Sequence, residues 1–167
     1  HESLGEMHKL AGSVGDLQRV LTNVKSRGTW AEVQLGNILE QTLTKEQYEC
    51  NVSTKNDTKR VEFAVKIPSR DDDREFVWLP IDSKFPQEDY IRICDAAENA
   101  DKAAMDMAVK ALEQTVKNQA KTIAELYIDV PNTTDFAIMF LATEGLYAEV
   151  LRRPGLCEEI QNKYRVM

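Results

Sequence analysis

Apolar side chains recur along this chain in two periods, and the points where one period gives way to the other mark out its elements. Met7, Leu10, Val14, Leu17, Leu21 and Val24 fall at a 3-4-3-4-3 spacing, which lays them along one helical stripe and reads as a short coiled-coil seam. Gly5, Gly12 and Gly15 each weaken a helix by about 1 kcal/mol relative to Ala, so this seam depends on packing against a partner or against the domain. A single helix docked on the core would show the same pattern. Because the chain starts in the middle of it, residues 1–26 read as the end of a longer coiled coil and residues 27–167 as the domain proper. From Arg27 to Gln41 a second helical pattern places Ala31, Leu35, Ile38 and Leu39 on one face. Glu32 flanks that stripe, with Leu35 and Leu39 at i+3 and i+7, which tilts its carboxylate toward the interior or a cleft.

The period then changes to two. Tyr48 to Ser53 reads as a strand, Thr54 to Lys59 as a polar loop, and Val61-Glu62-Phe63-Ala64-Val65-Lys66-Ile67 as a half-buried strand with large apolar residues at the odd positions. Pro68 to Arg74 has turn composition, and its Asp71-Asp72-Asp73 lacks the Gly and distant Glu of a calcium loop. Phe76 to Lys84 is apolar enough for a strand inside a sheet, so the two strands form a hairpin. Pro80 cannot donate to a ladder, which predicts an edge, a bulge or a bend there. Beyond Pro86 an Ala-rich helical stretch runs from about Ile91 to Tyr127, with one interruption and a narrow face of Ala100, Ala104, Met107 and Ala111. Phe136 to Leu141 reads as a strand, Glu144 to Leu151 and Leu156 to about Lys163 as helices, and Arg165-Val166-Met167 as the start of a further strand cut at the end of the chain.

Composition narrows the class. With 167 residues, 43% hydrophobic and 29% charged, the chain is an ordinary globular domain with room for one core. Cys50, Cys94 and Cys157 are odd in number and widely spaced, with only His1 and His8 to complete a zinc set, so a reduced cytosolic compartment fits best. No stretch approaches the roughly 18 consecutive apolar residues of a membrane helix, and no membrane contact is expected of this segment. A formal charge of −7 argues against a surface that coats nucleic acid indiscriminately, so any DNA contact must be local.

The chemistry concentrates in Leu79-Pro80-Ile81-Asp82-Ser83-Lys84. Strand alternation projects Asp82 and Lys84 from one face, and an acid and a base at the end of an apolar strand are costly unless paired or placed at a functional cleft. Folding the hairpin about the middle of Arg70 to Asp73 sets Glu62 opposite Ile81 or Asp82. Two carboxylates held that close repel, and a divalent cation is the usual remedy; Mg²⁺ in particular takes one or two carboxylates and fills its octahedron with waters and phosphate. Lys84 would then orient a water or stabilise phosphate charge. A buried Glu/Asp/Lys ion-pair network without catalysis has the same spacing.

Five blocks of the chain resemble the RmuC family: Arg27 to Leu35, Val61 to Val65, Pro80 to Pro86, Thr134 to Leu141, and Thr143 to Gly155. The resemblance implies a PD-(D/E)xK nuclease-like, restriction-endonuclease-like α/β core of a helix, a three-strand meander, a long helix and a further strand. It implies a metal-dependent deoxyribonuclease acting in DNA recombination and limiting rearrangements such as inversions. Glu62 and Asp82 would be ligands of Mg²⁺ or Mn²⁺, with Lys84 at the nucleophilic water and Glu32 in support. Glu62 stands where Asp is usual and Asp82 where many members have Glu, which changes each carboxylate's reach by one methylene. Lys59, Arg60, Lys102 and Lys110 are the candidate DNA phosphate contacts. The family implies the bacterial cytoplasm, an inner-membrane anchor in many full-length members, and a homo-oligomer through the coiled coil. A non-catalytic DNA-structure-binding or scaffold protein that keeps the fold is the alternative, favoured by the negative charge.

Overall fold

The structure, a computed structural model, describes residues 24–167. The coiled-coil seam read from Met7 onward therefore lies outside the described residues, apart from Val24. The elements follow in the order α1 (Val24–Thr42), β1 (Tyr48–Val52), β2 (Val61–Pro68), β3 (Phe76–Lys84), α2 (Gln87–Glu98), α3 (Lys102–Tyr127), β4 (Ile138–Leu141), α4 (Glu144–Arg152) and α5 (Leu156–Tyr164). The strands form one mixed sheet in the order β1-β2-β3-β4, with the first two pairings antiparallel and β3-β4 parallel.

Alternation gives the sheet two faces with different cover. Phe63 on β2, Ile81 on β3, and Ile138 and Phe140 on β4 point to one side, where they meet Leu35 and Leu39 of α1. Met139 and Leu141 point to the other, against a larger core built from Ala108, Leu112, Val116, Ala120 and Ile123 of α3 together with Leu146, Val150, Leu156 and Ile160 of α4 and α5. The described chain is thus a sheet with one helix on one side and a helical layer on the other. Gly36 lets α1 approach closely, since a Cβ there would sit 3.2 Å from the Phe63 ring.

The predicted helical faces shift in two places. Ile38 is 44% exposed; α1 docks instead through Ala31, Leu35 and Leu39, a strict i, i+4 row. On α3, Met107 is 74% exposed and the buried stripe runs through Ala108, Leu112, Val116, Ala120 and Ile123. The single interruption falls at residues 99–101: Ala100 takes a left-handed φ of 49°, and the Asp101 carboxylate then caps α3 by accepting from Ala104 N at 3.1 Å. The interrupted stretch is thus two helices, the first beginning at Gln87 rather than near Ile91.

Pro80 is also resolved differently, because β3 is an interior strand. Trp78 N donates to Asn132 O and Trp78 O accepts from Thr134 N, so the even-numbered peptides of β3 face the β4 side. Pro80 is the next residue on that side and falls in the gap between the Trp78-Thr133 bridge and the start of the β3-β4 ladder at Ile81. Its missing N–H leaves no vacancy in a continuous ladder. At the other end, residues 165–167 run beside β4 through Ala137 N to Arg165 O, Met139 N to Met167 O and Met167 N to Ala137 O, each 2.9 Å.

Candidate active site

The hairpin register decides which acids meet. Phe63 pairs with Ile81, so one step further along the ladder Glu62 faces Asp82, the nearer of the two pairings that the turn composition allows. The ladder does not continue there. Odd-numbered N–H groups of β3 point toward β2, and that of Ser83 donates to Glu62 Oε2 at 3.0 Å, while the Ser83 hydroxyl donates to the same oxygen at 2.6 Å. The Glu62 carboxylate therefore sits where β2 and β3 part, taking the hydrogen bond that a backbone carbonyl would otherwise take.

Asp82 points to the α3 side with a side chain only 5% exposed, and Lys84 Nζ lies 2.9 Å from its Oδ2. Among the described residues Oδ2 receives no hydrogen bond, so the contact is electrostatic. A buried carboxylate oxygen with a cation at one side and an unfilled lone pair is costly unless something else binds it.

Burial pushes the Glu62 carboxyl above its usual range, the two Ser83 hydrogen bonds oppose that rise, and the charges of Asp82 and then Glu32 reinforce it. Glu32 thus stands close enough for its charge to reach Glu62. It is delivered by the N-terminal half of α1, where Trp30 packs edge-on against Phe85, the residue after Lys84, with ring centroids 5.6 Å apart. Among the described residues no three His, Cys, Asp or Glu side chains gather within reach of one ion. The donor set available to a divalent cation is accordingly the Glu62-Asp82 pair, which fits an ion that keeps most of its waters, and Asp82 Oδ2, ion-paired with Lys84 but without a hydrogen bond, is the atom such an ion would bind.

The four candidate phosphate contacts divide. Lys59 and Arg60 are exposed just ahead of β2, and Arg60 Nη1 donates to Asn51 O at 3.0 Å across to β1. Lys102 and Lys110 are exposed on the N-terminal half of α3. At 1.5 Å per residue they lie roughly 37 and 25 Å from Tyr127, the end of α3 that reaches the acids. The structure brings together Glu62, Asp82, Lys84 and, through its charge, Glu32, and it leaves those two lysines apart.

Two residues at this site escape sequence reasoning. Ser83 lies between the acid and the base, and alternation sends its side chain to the opposite face; only the question of what receives the last β3 N–H would have raised it. Tyr127 ends α3 and packs against Val52, Val61 and Ala64, beside Glu62 on β2. Local sequence gives no signal for it, because its place depends on how α3 crosses the sheet.

The sequence profile of the RmuC family matches residues 1–167. Two curated proteins, each called "DNA recombination protein RmuC homolog" and belonging to Xylella fastidiosa strains Temecula1 / ATCC 700964 and 9a5c, are 57% identical to this chain over 165 residues. The match covers 98% of this chain and 36% of each relative, so the chain spans little more than a third of their length. No solved structure matches it. With a profile match over its whole length and relatives at this identity, the chain belongs to the RmuC family.

Proposed function

We propose that this chain carries the catalytic part of a metal-dependent deoxyribonuclease acting in DNA recombination, on a restriction-endonuclease-like core. The observation that carries the reading is the buried Asp82 Oδ2, held by its ion pair with Lys84 but without a hydrogen bond, beside a Glu62 carboxylate that Ser83 holds in place. The order of a helix, a three-strand meander, helices and a parallel fourth strand supports the core, and the relatives' names supply DNA recombination. In this reading the protein limits rearrangements such as inversions, works in the bacterial cytoplasm and pairs through its N-terminal coiled coil.

Glu62 and Asp82 would hold Mg²⁺ or Mn²⁺, which supplies Lewis acidity at the scissile phosphate. Ser83 fixes one Glu62 oxygen, so the other would be available to the cation. Lys84, with its side chain 30% exposed, pairs with Asp82 and presents positive charge toward solvent, where phosphate would arrive. Glu32 reinforces the negative field that draws the cation in.

The test is cleavage of linear, branched and single-stranded DNA in Mg²⁺ or Mn²⁺ by the wild type, Asp82→Asn and Lys84→Ala. The expected outcome is cleavage by the wild type and a loss of about 100-fold or more in each variant. DNA binding without cleavage of any substrate, unchanged in both variants, would instead establish the scaffold reading.

A further inference from the structure

The C-terminus of α3 is clamped to the β1-β2 loop. Thr54, itself buried, donates through Oγ1 to Tyr127 O at 2.7 Å, and Lys55 Nζ donates to Glu125 O at 2.6 Å. These bonds satisfy two of the carbonyls that every helix leaves open at its end, and the lysine also suits the negative pole of the helix. The clamp matters because of what it fixes. The Tyr127 ring is wedged between the main core and the small cluster of Val52, Val61 and Ala64, so the ring has little freedom. Ala64 and Asp82 lie on the sheet face that α3 covers, and Val61 immediately precedes Glu62. A phenol is therefore held at the border of the acid pair by packing and by its own main chain, with no hydrogen bond from its hydroxyl among the described residues.

We propose that Tyr127 contacts the DNA phosphate that reaches the acid pair, its hydroxyl donating a hydrogen bond to a non-bridging oxygen. The inference rests on the nuclease reading for its substrate. Tyr127 acts as a hydrogen-bond donor: a phenol ordinarily keeps its proton through the neutral range, and burial of the ring favours that neutral form. In the hydrolysis the water oxygen bonds to phosphorus, the bond to the leaving oxygen breaks and the water's proton passes to solvent or to that oxygen; Tyr127 keeps its own.

Tyr127→Phe is the test, because it removes the hydroxyl while leaving the ring packing and the Thr54 bond to the main chain intact. Two arms are read on the same proteins. In Ca²⁺, fluorescence anisotropy of a labelled oligonucleotide should show affinity falling several-fold in the variant, with an unchanged melting temperature. In Mg²⁺ or Mn²⁺, single-turnover cleavage should slow by about 10-fold to 100-fold. Equal affinity in Ca²⁺ overturns the inference, whatever the cleavage arm shows. A wild type that cleaves nothing while Tyr127→Phe still weakens binding overturns the nuclease reading and keeps the phosphate contact.

Discussion

Glu62 is the residue on which the site's electrostatics turn. Its carboxyl is raised chiefly by burial, so the folded state holds its proton more tightly than the unfolded chain does. The sign follows from linkage: the stability contributed by this proton is fully present below the unfolded value, about 4.3, and is lost as pH rises through the higher folded value. In chelator, the thermal midpoint of the wild type should therefore gain a downward component across that window, which Glu62→Gln removes. Gln can still accept the two Ser83 hydrogen bonds, so the variant should match or exceed the wild type at neutral pH. Parallel pH dependences of the two proteins by scanning calorimetry would rule this out. The period-two alternation of Val61 to Ile67 made Glu62 legible as the lone acid of its strand, and the turn composition placed it within one position of Asp82. What alternation could not give was the in-plane position of the carboxylate, because that depends on the ladder ending at Ser83.

At the scale of elements, the strands were more legible than the helical faces. A strand presents only two sides, and the bulky odd residues of β2 choose between them. An Ala-rich helix offers many nearly equivalent stripes, and α3 buries the one beginning at Ala108 rather than the one through Met107. The choice is made by Leu112, Val116 and Ile123, whose side chains are larger than the alanines that define the narrower stripe. Leu112→Ala should cost about 2–5 kcal/mol in chemical denaturation, as for a fully buried leucine, whereas Met107→Ala should stay within about 0.5 kcal/mol. Comparable losses in both would restore the stripe through Met107. Pro80 is a second lesson at this scale. A proline in a strand argues for an edge only if each N–H of that strand is needed, and β3 has a gap on its β4 side where none is.

For the molecule as a whole, the described residues form a sheet whose two faces do separate work. The α1 face is a packing surface. The α3 face carries the main core at one end and Asp82 at the other, and the β1-β2 loop pins the end of α3 over it. The family resemblance supplied DNA and the metal as expectations; in a chain of charge −7, with Lys102 and Lys110 far along α3 from the acids, a DNA contact at the acids would have to be local. The parting of β2 and β3 has a use beyond chemistry. Ser83 is a backbone amide whose acceptor is a titratable side-chain oxygen instead of a peptide carbonyl. Its ¹⁵N-¹H resonance is thus a built-in gauge of the site: it should move as Glu62 gains or loses its proton, and move again when Mg²⁺ is added to the wild type but not to Asp82→Asn. One cross-peak can thus follow occupancy of the acid pair with no substrate present.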